Sequence, residues 1–222
     1  RDEVETVEYN RDKGIGVTVY LGQQKGYAST SDFSAKALRE TVDAALDIAR
    51  FTAPDPCAGL AEAELLATAS PDLDLYHPWT IDVAAAIDLA RRCEQAAFAV
   101  SPLVSNSEGA TVSTQEAQFV SANSLGFMGG YPTSRHYIAS SVIVGEGDAM
   151  QRDDWYSTAR DGAALAAPEA IGDYTARRAL SRLGVRKIRT CTVPVLFEAP
   201  IAAGLIGSFV HAVSGGALYR QS

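Results

Sequence analysis

Residues 101–144 read SPLVSNSEGATVSTQEAQFVSANSLGFMGGYPTSRHYIASSVIV. Val, Ile, Thr, Tyr and Phe fill the runs, and Gly, Asn and Ser interrupt them. That is the composition of strands joined by turns. Asn106 to Gly109 and Asn123 to Gly126 read as the corners, because Asn and Gly tolerate positive φ. Gly129-Gly130 reads as a further turn. A β region of this length in mid-chain sets the expectation for everything on either side of it.

Upstream, Glu3 to Asn10 alternates Val with charge and predicts a strand. Gly14 to Tyr20 puts Ile15, Val17 and Val19 on one face, and Gln24 to Thr30 returns after Gly22. This is a hairpin or meander with one wet side, which suits an antiparallel sheet. Ser34 is the expected N-cap of a first helix. Its buried stripe is Leu38, Val42, Ala45 and Ala49, and Lys36–Glu40 and Arg39–Asp43 fall at i,i+4 spacing. Pro54 and Pro56 end it. Ala58 to Trp79 reads as a connector with one turn of helix. A second helix runs from Thr80 or Asp82 to Val100, with Val83, Ile87, Ala90, Cys93 and Ala97 inward.

Downstream, Gly145 to Asp148 is a turn and Met150 to Ala159 a strand. Pro168 suits the first turn of a third helix. That helix carries the Asp173–Arg177 pair, an Ala176, Leu180 and Leu183 stripe, and Gly184 at its end. Thr192 to Phe197 predicts a strand. Pro200 opens a last helix, Ile201 to Val213, apolar nearly all round and so expected to be buried. Gly215-Gly216 reads as a turn. The order gives an α+β fold with a mixed, largely antiparallel sheet and flanking helices. Residues 1–185 read as one domain and 186–222 as the start of a second.

The chain has 222 residues, 47% hydrophobic and 21% charged, values of a globular protein. No apolar run is long enough to span a bilayer. A net charge of −8 disfavours direct nucleic-acid binding. Cys57, Cys93 and Cys191 are odd in number and far apart, which fits buried thiols in a reducing cytoplasm.

No cluster carries catalytic chemistry by itself. His77 precedes Pro78, His136 precedes Tyr137 and His211 precedes Ala212, so no histidine precedes a glutamate. His136 reads as a hydrogen-bonded strand residue, His77 as turn chemistry and His211 as a satisfied core residue. Asp153-Asp154 and Glu146-Gly147-Asp148 read as solvated acids. There is no Gly-x-Ser-x-Gly, and Cys93 after Arg91-Arg92 reads as a core thiol below exposed arginines. An independent hydrolase is therefore the weakest reading.

Asn106-Ser107-Glu108-Gly109, Asn123-Ser124-Leu125-Gly126 and Tyr131-Pro132-Thr133-Ser134-Arg135-His136 together resemble the TldD/PmbA family, on its PmbA (TldE) branch. Val4 to Asn10, Ala44 to Arg50, Pro54-Asp55-Pro56, Ala176 to Leu183 and Gly215 to Arg220 fit the same family. Family members are about twice as long. The resemblance therefore implies a fragment lacking a short N-terminal piece and most of a C-terminal domain. TldD-type members resemble zinc peptidases carrying His-Glu-x-x-x-His on a helix, and this sequence lacks that motif, as its own branch does. The resemblance implies a cytoplasmic subunit without catalytic or metal-binding residues of its own. A TldD-type partner would supply zinc, and the pair would act on unfolded or leader peptides, with no role for membrane or nucleic acid. Asn106, Glu108, Gly109, Asn123, Gly126, Arg135 and His136 are then candidates for a peptide channel or for structural corners. The alternative implied by the family is a non-catalytic modulator of DNA gyrase.

Overall fold

The computed structural model describes residues 3–221. Strands β1 (Ile15–Leu21) and β2 (Gln24–Thr30) form the expected antiparallel hairpin, with Leu21 opposite Gln24. Helix α1 (Ala35–Phe51) starts where Ser34 Oγ accepts from the Ala37 N–H at 3.2 Å. It lies close on β2, because a side chain at Gly26 would meet the Ala45 carbonyl oxygen at 1.9 Å. The face it buries is Thr41, Ala45 and Ala49, all small. Val42, expected inward, is 45% exposed. Lys36 and Glu40 form their ion pair at 3.8 Å.

Residues 3–10 are not a strand. A strand exists only in a ladder, and among the described residues none pairs with this segment. It is exposed and has no regular secondary structure.

The connector holds one 3₁₀ turn, Ala63–Leu65. Helix α2 (Val83–Val100) is capped by Asp82, whose carboxylate accepts from the Ala85 N–H at 2.7 Å. Strands β3 (Val104–Ala122), β4 (Met128–Val144) and β5 (Gln151–Ala159) make an antiparallel sheet in that spatial order. Helix α3 (Pro168–Ser181) packs beside α2 on one face. The tightest point between them is Gly172, where a Cβ would stand 1.9 Å from the Cys93 carbonyl oxygen. Ala97, Val104, Val142, Val144, Ala176 and Ala179 form one buried cluster, and Cys93, Ile138 and Ile171 another. Each large aliphatic side chain so buried stabilises by about 1.5–3 kcal/mol. All strand pairings are antiparallel, and the fold is α+β.

Several local expectations are corrected. Gly129-Gly130 lies within β4, where the Gly130 backbone passes so close to β3 that a Cβ would meet the Phe119 carbonyl oxygen at 2.3 Å. Asn106 to Gly109 is not a corner: β3 continues through it with register shifts at Val104/Asn106 and Ser107/Gly109, a bulged stretch. Val83, expected inward, is 53% exposed, because it lies on the side of α2 that faces an open groove.

The chain forms two compact units, the first ending at Gly184 and the second beginning at Val185. In the second, Thr192 to Phe197 forms no strand, again for want of a ladder partner among the described residues. Helix α4 (Ala199–Ala212) buries no residue, and Phe209 is 66% exposed. Within this unit α4 packs against the short α5 (Gly215–Arg220), which replaces the expected turn at Gly215-Gly216. Among the described residues no helix is long and apolar enough to cross a membrane.

Candidate functional site

The Asn106 to Gly109 bulge carries the best-organised polar group of the sequence candidates. Asn106 Oδ1 accepts from the Ser107 N–H and Ser107 Oγ from the Gly109 N–H, both at 2.9 Å. Gly109 has φ +106°, a conformation that glycine adopts without strain. The bulge turns Glu108 across β4, where its carboxylate accepts from Ser141 Oγ at 2.8 Å and from Arg152 at 3.0 and 3.1 Å. The Ser141 hydroxyl and then the Arg152 guanidinium hold Glu108 below the usual carboxylate range.

Asn123 and Gly126 make the turn at the far end of β3. The Asn123 side chain accepts from Leu125 and Phe127 N–H groups, and Gly126 has φ +95°. About fourteen residues of strand, roughly 45 Å, separate this turn from the bulge. Arg135 and His136 follow on opposite faces of β4. Arg135 Nε donates to Thr158 Oγ1 at 3.4 Å on the open face. His136 is fully buried, with Nδ1 2.8 Å from Thr114 Oγ1 and Nε2 2.9 Å from the His77 carbonyl. A carbonyl only accepts, so Nε2 donates. The seven candidates therefore belong to four places and make no single centre.

His136 belongs to a fastening that sequence reasoning missed. Where β5 leaves the sheet at Ala159, the end of the connector takes its row. The Ser134 N–H donates to the Leu75 carbonyl at 2.9 Å. The His77 N–H donates to Ser134 Oγ at 2.8 Å, and Tyr76 Oη donates to Glu116 at 2.8 Å. Trp79 sets its ring edge on His136 and covers Gly162. A serine in a strand gives no signal of this.

These donors do not fit a zinc centre. Both nitrogens of His136 are engaged. His77 Nε2 stands 3.0 Å from the Asp74 carbonyl, and His211, expected in a core, is exposed on the last turn of α4 because nothing in its unit covers that turn. Among the described residues no three His, Cys, Asp or Glu side chains gather. Asp153, read as solvated, is instead held by Arg178 and Arg182. Cys93 is buried beside Ser140, and burial pushes its thiol up to about 11, so it is inert at neutral pH. Cys57 and Cys191, expected buried, are exposed, since both lie in segments outside helices and strands.

A large concavity lies on the other side of β3. Residues 3–20, the outward face of α2 and β3 itself enclose an open groove of about 3560 Å³. Among the described residues no strand pairs with β3 along this edge. β3 lines the groove from Ser107 to Ala122 and brings to it a strand edge that is unpaired among the described residues. Such an edge recognises an extended chain by its backbone.

Comparison with known proteins follows the same division of the chain. Residues 1–49 match the profile of PmbA/TldA metallopeptidase domain 1, and residues 76–183 that of the PmbA/TldA metallopeptidase central domain. The chain is 47% identical over 220 residues to Metalloprotease PmbA of Escherichia coli O157:H7, covering 99% of this chain and 49% of that protein. It is 44% identical to the Metalloprotease PmbA homolog of Haemophilus influenzae, with the same two coverages. It thus spans about half the length of the curated relatives it matches. In fold it resembles a candidate modulator of DNA gyrase from Bacteroides thetaiotaomicron (TM-score 0.84, 22% identity, 93% of this chain and 48% of that one). It also resembles TldE from Thermococcus kodakarensis (TM-score 0.58, 13% identity, 81% and 40%).

Proposed function

The chain belongs to the PmbA/TldA metallopeptidase family, and on that premise we propose that it is the subunit that holds no metal in a two-chain cytoplasmic peptidase. Its partner is a homologous TldD-type chain, which brings the zinc and the general base on a His-Glu-x-x-x-His helix. When bound there, zinc activates the attacking water. The pair trims unfolded or leader peptides. This chain's contribution is to bind and align the substrate backbone.

The observation that carries the reading is the β3 edge that lines the groove and is unpaired among the described residues. An extended peptide adds to such an edge through main-chain hydrogen bonds with little demand on sequence. The donor set supports the division of labour, since among the described residues no three His, Cys, Asp or Glu side chains gather and both ring nitrogens of His136 are engaged. The test mixes the purified full-length protein with a TldD-type chain and follows size and cleavage of an unfolded peptide, with and without a chelator. A complex whose cleavage the chelator abolishes, and in which neither chain cleaves alone, is the expected result. A protein that stays monomeric in the mixture, or that cleaves alone with stoichiometric zinc, overturns the proposal.

One observation favours a second reading. Structural relatives have been designated candidate modulators of DNA gyrase, which would be a binding role without cleavage. Inhibition of gyrase supercoiling by this protein without a partner would select it.

A further inference from the structure

The β3 edge lacks the devices by which soluble proteins guard an open strand. Beyond the bulge, Ala110 to Ala122 contains no Pro, Lys, Arg or Gly, and its register with β4 is unbroken. Its single charge, Glu116, is tied to the Tyr76 hydroxyl. The thirteen residues offer roughly 40 Å of pairing surface. The edge faces walls of one sign. Eight carboxylates line the groove against three basic side chains, and with Glu108 set aside because Arg152 neutralises it, seven to three is still a steeper excess than the 27 to 19 of the whole chain. Glu5 and Glu8 stand on the N-terminal segment, Glu94 on α2 and Glu116 on β3 itself, so the carboxylates surround the edge rather than cluster at one point.

We infer that the groove takes an extended polypeptide segment of net positive charge, paired by its backbone along Ala110 to Ala122 and drawn in by the carboxylates around it. This rests on the peptide-handling role proposed above and adds the class of peptide. The β edge supplies tolerance of sequence and the walls supply the bias, because a concave site lined by one sign of charge concentrates the opposite sign.

The experiment measures binding of fluorescent twelve-residue peptides to the full-length protein without a partner, by anisotropy. One peptide carries four lysines, a second carries four glutamates in their place, and a third is the lysine peptide N-methylated at alternate amides. The lysine peptide binds at least about tenfold more tightly than the glutamate one at low salt, and the gap closes near 0.5 M salt. N-methylation abolishes binding. Glu5→Lys with Glu8→Lys removes the preference, whereas Asp43→Lys with Glu64→Lys, equal in charge but outside the groove, leaves it. Equal binding of the first two peptides, indifference to methylation, equal effects of the two double variants, or self-association through β3 that excludes every peptide overturns the inference. Cleavage by the mixed pair is read separately, so loss of the peptidase role and loss of the charge preference are distinct results.

Discussion

The carboxylate of Asp153 stands 3.4 Å from Arg178 Nε and 2.8 Å from Arg182 Nε, with its side chain 10% exposed. Arg178 in turn lies over the Trp155 ring at 4.8 Å, so the acid fixes one end of the seam between β5 and α3. Burial is the largest single influence on Asp153 and pushes its pKa up, but the Arg182 hydrogen bond, the Asp154 N–H and the two guanidinium charges together hold it below the usual range. A depressed carboxylate stabilises fully above its unfolded pKa, about 3.9, and the contribution disappears as pH falls through the folded value. Asp153→Asn should cost about 2 kcal/mol at pH 7, between the values for exposed and fully buried pairs. Urea titrations at pH 7 and below pH 4 should show the gap between the two proteins closing in the acid. Two glycines give a second contrast. Gly172→Ala forces a methyl onto the Cys93 carbonyl and should cost about 3 kcal/mol. Gly109→Ala meets nothing within 4 Å and pays only for its positive φ, about 1 kcal/mol. Melting temperatures of the two variants would rank them.

β5 pairs with β4 only from His136 to Val144, so β3 and β4 run on beyond it as a two-stranded arm. Such ribbons are marginal without a covering layer. Phe119 and Tyr131 face each other across it with ring centroids 5.6 Å apart, yet Phe119 is 54% exposed. Phe119→Ala should therefore cost less than about 1 kcal/mol, against about 2–5 kcal/mol for Ile138→Ala in the core, by urea titration. This element also shows what was legible. The first hairpin and helices α1, α2 and α3 follow from caps, proline and periodicity, which act within a few residues. The Asn106 bulge was read as a corner because bulges and turns use the same residues, and only the partner strand tells them apart. Residues 192–197 have a strand's composition and no ladder. Asp153 looked solvated because its arginines come twenty-five and twenty-nine positions later. The groove joins segments some hundred residues apart, which no local pattern encodes.

At the scale of the whole chain, neither buried cluster of the sheet and helices α2 and α3 contains a residue before Trp79. The β1–β2 hairpin and α1 form a layer of their own, and the two family profiles meet the chain in the same two pieces. Removing residues 1–57 should leave the melting temperature of the sheet within about 4 °C, less than a 1 kcal/mol change would produce in a domain of that size. Scanning calorimetry of the shortened chain checks this. The connector between the pieces is fastened to the sheet at its end, at Leu75 and His77, and that fastening has a consequence in time. Ser134 Oγ donates to the Arg160 carbonyl at 2.7 Å while accepting from His77. The end of β5 must already be in place before the connector can settle on that hydroxyl. Its docking should then be a late event, formed after the barrier. Ser134→Ala should hasten unfolding and leave the refolding rate unchanged in stopped-flow measurements. The hydroxyl then governs how long the native state lasts, not how quickly it is reached.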